Sequence, residues 1–536
     1  MLRLAGVALL GAVLIALLRS PRAPSDSEDA LAASAPPPEL PADVAAAAPG
    51  RLAKALSFPT LASADAPKNH VRNPAPFQQL HRHLEASFPT VYKRLRHERA
   101  SLQGVNDFSI LFTWPGSNRE LRPVLIMSHM DVVPAPEGPA YNWTHPPFGG
   151  VVADGYIWGR GALDVKVSLL QQLEAVSLLL DQGFQPKRTI HFAVGHDEEQ
   201  GGAYGARAIA ALLRSRGVEL EIVLDEGGII LMDGLKAGAH QVVASPIALV
   251  GTSEKGYETW DIEVEGSGGH SSMPPTDGFS VAARIARILA TLDASPPTTR
   301  LGEPTTDFLK GLAPAVALAP ARLALRHADN WVLNPVLGQL LGQASPEVAS
   351  FVRTTCSVVG VQAGGIAENV LPNVGTITLN FRTLPGQNST FVREYLQMVT
   401  RKEAAHVTLQ PRGRTDPAAP VAPSRGPHWR LLKQVILQTL RPQEGLLVVP
   451  YLVGGMTDSR HYNELAGGRV YRFCPHRYAL GDIKRVHGVD ERIAVDDYLR
   501  GIGFYARFLE AASSDEGSEE AAAEAAAGGS SAAATE

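Results

Sequence analysis

Thr189-Ile190-His191-Phe192-Ala193-Val194-Gly195-His196-Asp197-Glu198-Glu199 is the stretch on which the reading of the fold turns. Residues 189–194 read as a short buried strand that stops at a glycine and runs straight into an imidazole and three carboxylates. Two other segments do the same. Residues 124–127 form a buried run leading to His129 and Asp131, and residues 220–224 lead to Asp225-Glu226-Gly227-Gly228. In an open α/β sheet, ligands gather just beyond the carboxyl ends of the strands. Three strands that deliver His, Asp and Glu to one such edge predict a metal site, and with it a hydrolase.

The rest of the chain sets the frame. Its 536 residues suggest two or three domains at roughly 150 residues each. With 45% hydrophobic and 19% charged residues it has the composition of a soluble globular protein. A formal net charge of −5 and no basic patch exclude a nucleic-acid-binding protein. Cys356 and Cys474 are the two cysteines, too few for a disulfide framework or a CxxC zinc site. One disulfide would fit them, and two buried free thiols fit at least as well.

At the N-terminus, Arg3 precedes an apolar run over residues 4–18, and Arg19-Ser20-Pro21-Arg22 follows it. The run is shorter than the roughly 20 residues that a spanning helix needs. Residues 1–22 therefore read as a signal peptide or an uncleaved signal anchor, placing the body in the secretory pathway, extracellular or lumenal. Residues 23–74 read as a largely disordered linker, since residues 23–50 are rich in Ala, Pro and Ser. The tail at 512–536 reads as disordered, with almost no large apolar side chain.

Between them, residues 75–255 alternate buried strands with helices such as 165–180, a βαβ pattern. The pattern changes at Gly256. Residues 259–265 alternate, with Trp260, Ile262 and Val264 on one face and Asp261, Glu263 and Glu265 on the other. That is a half-solvated antiparallel strand. A helix is expected over 280–292 and a second alternating strand over 375–382. Residues 256–411 thus form an inserted smaller α+β domain, and 412–511 return to the first domain. Inside the insertion, the Pro- and Leu-rich stretch 301–349 has no clear topology.

Each candidate ligand has an ordinary structural alternative when taken alone. Asp164, in Gly159-Arg160-Gly161-Ala162-Leu163-Asp164-Val165-Lys166, would suit a helix N-cap. Asp225 would suit a turn, and His487 a packed histidine. Glu198 and Glu199 are adjacent and point apart, so one can bind a metal while the other faces an activated water. His129 and Asp131 stand two apart in an extended segment, so the carboxylate can fix the imidazole tautomer. Carboxylates and imidazoles mixed at the ends of strands and in loops match what zinc takes.

These segments resemble the two-zinc metallopeptidase family of aminoacylase, carnosinase and carboxypeptidase S. The matching residues are His129-Met130-Asp131, residues 159–166, Asp197-Glu198-Glu199-Gln200-Gly201-Gly202, Asp225-Glu226-Gly227-Gly228, Gly268-Gly269-His270-Ser271-Ser272, Asn380-Phe381-Arg382 and Arg485-Val486-His487-Gly488. Asp131-Val132-Val133-Pro134-Ala135-Pro136, residues 143–148 and 195–199, and Thr457-Asp458-Ser459-Arg460 point to the branch of carboxypeptidase S and the N-fatty-acyl-amino-acid synthase/hydrolases.

The resemblance implies an α/β zinc-peptidase-like catalytic domain with an inserted α+β lid of the dimerisation type, and two zinc ions per subunit. Asp164 would bridge the ions, His129 and Asp225 would complete one, and Glu199 and His487 the other. Glu198 would be the general base, with Asp131 orienting His129. His270 would stabilise the oxyanion, often across a homodimer interface. Arg382, assisted by Asn369, would hold a substrate carboxylate, and Asp458, Ser459 and Arg460 would line the site. Val165 departs from the family, where the position is often Asp. The expected activity is hydrolysis of N-acyl amino acids or of the C-terminal bond of short peptides, with condensation as the reverse direction. A strict carboxypeptidase is the enzymatic alternative. A membrane-anchored binding protein without catalysis is the alternative of another class, and the complete ligand set argues against it.

Overall fold

The computed structural model describes residues 39–514, except 67–68, 100–107, 137, 139–140, 238–239, 277, 366 and 441–444. The segments expected as a signal or anchor (1–22), and most of the expected tail, lie outside the described residues. Among the described residues no helix is long and apolar enough to cross a membrane.

Val124–His129, Ile190–Gly195 and Ile222–Asp225 are buried at every position. Strands buried on both faces belong in the middle of a parallel sheet, and these three are neighbours there. Val124–His129 pairs in parallel with both of the others. Their carboxyl ends therefore open on one edge. The sheet continues through Val470–Arg472, parallel to Ile222–Asp225, to Ile247–Glu254 and Leu447–Val453. Ile110–Trp114 and Arg96–Arg99 extend the opposite side antiparallel.

The helix Lys166–Asp181 is buried almost all round. Such a helix must be enclosed by apolar elements on every side; the sheet covers one, and the helices Val495–Ala512 and Ala42–Leu56 cover others. Its buried polar groups find partners. Glu174 takes a two-pronged contact from Arg51 at 2.6 Å on each oxygen, and Gln172 donates to the Met127 carbonyl at 2.8 Å.

The helix Ala42–Leu56 corrects the expectation of a largely disordered linker over 23–74. Ala48, Leu52, Ala55 and Leu56 are fully buried in the main core. An Ala-rich composition is as much a helix signal as a linker signal, because Ala has the best helix propensity; the leucines at 52 and 56 supply the docking face. The chain after the helix then braces the metal edge. Thr60 donates its hydroxyl to the Met130 carbonyl at 2.6 Å, and the Val132 N–H returns a bond to the Thr60 carbonyl at 3.0 Å.

The inserted unit is a four-stranded antiparallel sheet in the order Thr355–Gln362, Val374–Arg382, Tyr257–Glu265, Val407–Asp416. Trp260, Ile262 and Val264 face Ile377, Leu379 and Phe381 and the helices Val281–Ala294 and Ser389–Thr400. Ser280 and Asn388 cap those helices with their side chains. The fourth strand runs to Asp416, past the expected boundary at 411. The stretch 301–349 is helical and does not belong to this sheet alone. Leu312 and Val316 pack with Ile247 and Val449 of the larger sheet, so the helix Thr305–Leu312 covers that sheet's edge. Cys356 and Cys474 are free thiols.

If Ala42–Leu56 is part of the core, Leu52→Ala should destabilise the protein by about 2–5 kcal/mol, the range for a large-to-small core change. Chemical denaturation measures this. An unchanged unfolding midpoint would return the segment to linker status.

Candidate active site

Asp164 sits just before the helix Lys166–Asp181 but does not cap it; no side chain caps that helix. Its carboxylate is directed at two imidazoles instead. Oδ1 lies 3.1 Å from His129 Nε2, and Oδ2 lies 2.9 Å from His487 Nε2. His129 Nε2 is also 3.2 Å from Glu226 Oε1, and His487 Nε2 is 3.3 Å from Glu199 Oε1. Two triads result, His129–Asp164–Glu226 and Asp164–Glu199–His487, each with its ligand atoms within 4.8 Å of one another. Asp164 belongs to both.

In the first triad Glu226, and not the expected Asp225, stands beside His129 and Asp164. Successive side chains at a strand end point to opposite sides. Asp225, the last residue of Ile222–Asp225, turns away and accepts the Ser459 N–H at 2.9 Å on Oδ2. The sequence shows two adjacent acids there; strand alternation was the signal that could have separated them.

His129 is fixed from its far side. Its Nδ1 contacts the Asp131 backbone carbonyl at 3.0 Å and the Asp131 carboxylate at 3.3 Å. That carboxylate also accepts the N–H groups of Glu198 and Glu199, both at 3.1 Å. Asp131 thus orients the imidazole and pins the turn Glu198–Gln200. The turn closes through Gly201 in the left-handed region, at φ 91°.

Of Asp458-Ser459-Arg460, expected to contact substrate, Asp458 and Arg460 support this turn from behind, while Ser459 contacts Asp225 and Thr457. Arg460 donates to the Gly201 and Thr457 carbonyls, each at 2.6 Å. Asp458 is buried against Gly195 and Gly202, where a Cβ would lie 2.9 and 1.9 Å from its carboxylate oxygens. Glycine at those positions is what lets the carboxylate in.

Electrostatics show what this cluster lacks. Burial pushes the Glu198 carboxyl well above its ordinary range; Asp458, Glu226 and Glu199 push the same way, and His129 opposes them. Burial also pushes Glu226 up to about 8 and Asp458 well above the usual carboxylate range. Contacts with Asp164 and Glu199 raise His487 to about 10. Buried carboxylates crowd together and imidazoles hold protons to compensate, which is the charge pattern of a cation site. Glu199 Oε1 fits it too, being buried without a hydrogen bond although His487 is near. The donor set of carboxylates and imidazoles suits zinc.

The remaining expected residues lie on the inserted unit. Arg382 stacks on Tyr257 with 4.6 Å from its guanidinium carbon to the ring centroid, and Arg414 lies over the same ring at 5.7 Å. Burial and the nearby Arg414 hold the Arg382 guanidinium below its ordinary value, with Tyr257 opposing. Among the described residues no acidic side chain is recorded in ion-pair contact with Arg382. His270 is exposed and its Nδ1 contacts Ser272 Oγ at 2.8 Å; Asn369, also exposed, accepts the Ser271 N–H through its backbone carbonyl at 3.0 Å. The structure brings His270 and Asn369 together, with no recorded contact to either triad.

Comparison with known proteins agrees with this geometry. Residues 125–511 match the model of peptidase family M20/M25/M40, and the chain belongs to that family. It is 33% identical to a probable carboxypeptidase S-like 2 of Dictyostelium discoideum, over 86% of this chain and 84% of that one. It is 35% identical to the human N-fatty-acyl-amino acid synthase/hydrolase PM20D1, over 81% of this chain and 82% of that one. Among solved structures, the M20 family metallo-carboxypeptidase Sso-CP2 of Sulfolobus solfataricus superposes with a TM-score of 0.57 at 17% identity, covering 86% of this chain and 98% of that one. The protein is a hydrolase of peptide or linear amide bonds.

The two adjacent acids can be told apart by metal content. Glu226→Gln should lower zinc affinity by ~10-fold or more, since loss of even an outer-shell partner reaches that scale. Asp225→Asn should keep the metal. Elemental analysis after dialysis against a weak chelator reads both, and the reverse pattern would restore Asp225 as the ligand.

Proposed function

We propose that this protein is a two-zinc hydrolase of amides whose nitrogen belongs to an amino acid with a free carboxylate: N-acyl amino acids, or short peptides cut at the C-terminal bond. The observation that carries this reading is the pair of triads sharing Asp164. One ion would be held by His129, Asp164 and Glu226, the other by Asp164, Glu199 and His487. Bound there, the ions would supply Lewis-acid charge at the scissile carbonyl and acidify a water.

The chain's own residues do the rest. Glu198 belongs to neither triad, and its carboxyl is raised, which suits a group that takes a proton and gives it back. It removes the water's proton and returns it to the leaving nitrogen. Asp131 keeps Glu198 in place through the backbone bond to its N–H. Arg382 binds the substrate's carboxylate, a planar anion that matches its fork of donors. His270, exposed beside Asn369, serves as the oxyanion donor in the site of a partner subunit, in a homodimer formed through the inserted unit. Condensation uses the same groups in reverse order.

Glu198→Gln should keep both metals and lose about 10²–10⁴-fold in kcat, the usual contribution of a general base. Steady-state kinetics with metal analysis checks this; a near-normal kcat with full metal content removes Glu198 from the reaction.

The substrate class has its own test. Converting the substrate carboxylate to a primary amide should cost about ten- to a hundredfold in kcat/KM, from a charge-assisted bond of roughly 1.5–3 kcal/mol. Arg382→Ala should cost as much on the acid and little more on the amide. Measured for both substrates with both proteins, the two losses should overlap. Simple additivity would mean that Arg382 does not read the carboxylate.

A further inference from the structure

Glu491 lies four residues beyond His487 and is fully buried. One oxygen, Oε1, accepts three backbone N–H groups: Gly161 at 3.0 Å, Leu163 at 2.7 Å and Asp164 at 3.1 Å. The other, Oε2, meets Arg160 Nη1 at 2.5 Å. Arg160, itself 1% exposed, sends Nη2 to the Gly488 carbonyl at 3.0 Å. The backbones are joined as well, the Gly159 N–H donating to the Glu491 carbonyl at 3.0 Å.

One carboxylate and one guanidinium therefore fasten two loops that are 327 residues apart in the chain. The first loop ends in Asp164 and the second begins at His487, and these two side chains meet at 2.9 Å. Neither loop has a regular ladder of its own at this point. His487 and Asp490 both adopt left-handed backbone, at φ 58° and 59°. The His487 side chain is half exposed, so packing does little to hold it. Its place relative to Asp164 is set by what its backbone is tied to: Thr144 and Arg485 hold the loop at Asp490, and Glu491 and Arg160 are the groups that join it to the Asp164 loop.

We propose that Glu491 is a positioning residue for both ions of the metal pair, and that Arg160 carries its effect to the His487 side. The proposal rests on the two-zinc reading of the triads. Asp164 is common to both ions, so loosening its backbone weakens both. Arg160 belongs to the Asp164 loop and grips the His487 loop at Gly488, while Glu491 still holds the Asp164 backbone through its three N–H bonds, so loosening the Arg160 fork weakens the second ion alone. An ordinary buried ion pair kept for stability would show neither pattern.

The experiment measures equilibrium zinc affinity by competition with a chromogenic chelator, on full-length protein whose fold is checked by circular dichroism. Glu491→Gln keeps the shape and an acceptor oxygen but removes the charge that Arg160 pairs with. It should lower affinity for both ions by about 10–100-fold, the scale for lost outer-shell partners, with excess zinc restoring occupancy. Arg160→Lys keeps a cation for Glu491 but cannot reach Gly488 at the same time; it should weaken one ion and leave the other at the parent's affinity. A folded Glu491→Gln protein that binds both ions as the parent does overturns the proposal. So does a protein that melts earlier in its metal-free form yet keeps the parent's affinity. Should Glu491→Gln fail to fold, Arg160→Lys decides alone, and parental affinity at both ions overturns the assignment. If the parent itself binds no zinc, the two-zinc reading fails first; if the parent binds two ions and the variants bind them as tightly, only the positioning role of Glu491 fails.

Discussion

Everything in this molecule is arranged around the crowding of carboxylates about Asp164. Asp164 has Glu199 and Glu226 in its two triads, with Glu198, Asp225 and Asp458 close by and buried. Removing an ionised carboxylate from water costs several kcal/mol unless a partner compensates. Two imidazoles cannot neutralise six acids. The protein must therefore either leave several of them protonated or collect cations, and the raised carboxyls of Glu198, Glu226 and Asp458 show how strongly it leans without cations. A site with this imbalance favours bound metal cations, and Glu198, the proposed base, is among the carboxyls it raises.

The fold makes the crowding affordable by spreading its supports over the whole catalytic body. Val124–His129, Ile190–Gly195 and Ile222–Asp225 are central strands, so the acids at their ends share one edge without any loop having to travel. The supports come from elsewhere: Asp131 holds the Glu198 turn, Arg460 holds Gly201, and Thr60, from the segment after the helix Ala42–Leu56, holds Met130. Backbone N–H groups stabilise the buried charges repeatedly, as with Asp131 and the N–H groups of Glu198 and Glu199.

How much of this was legible in the sequence depended on whether a residue's role is local. The buried strands, the helix after Asp164 and the alternating strand Tyr257–Glu265 all announce themselves by periodicity, and the structure has them within a residue or two. The triad members His129, Asp164, Glu199 and His487 could be picked out because glycine-rich turns and strand ends surround them. The choice between Asp225 and Glu226 turned on a single 180° alternation, which a boundary uncertainty of one residue reverses. Arg460 is expected to line the site from the resemblance alone; its recorded partners, Gly201 and Thr457, are carbonyls that no pattern displays. The helix Ala42–Leu56 was hidden because alanine suits both a helix and a linker, and only its docking partner, Lys166–Asp181, decides between them.

The inserted unit meets the catalytic body at the turn that carries Glu198 and Glu199. Arg414, on the strand Val407–Asp416, lies so close over Gly201 that a Cβ there would fall 1.6 Å from its Nη1 atom. The same guanidinium stacks on Tyr257, whose ring also carries Arg382. A continuous line of contacts thus runs from the turn that carries Glu198, through Arg414 and Tyr257, to the Arg382 guanidinium, which lacks an acidic partner among the described residues. Gly201 has to be glycine twice over, for its left-handed backbone and for the guanidinium above it. The placement of Arg382 relative to the triads is therefore set by packed groups at the junction, so an anion held by that guanidinium would be held at a distance from Glu198 that the junction fixes.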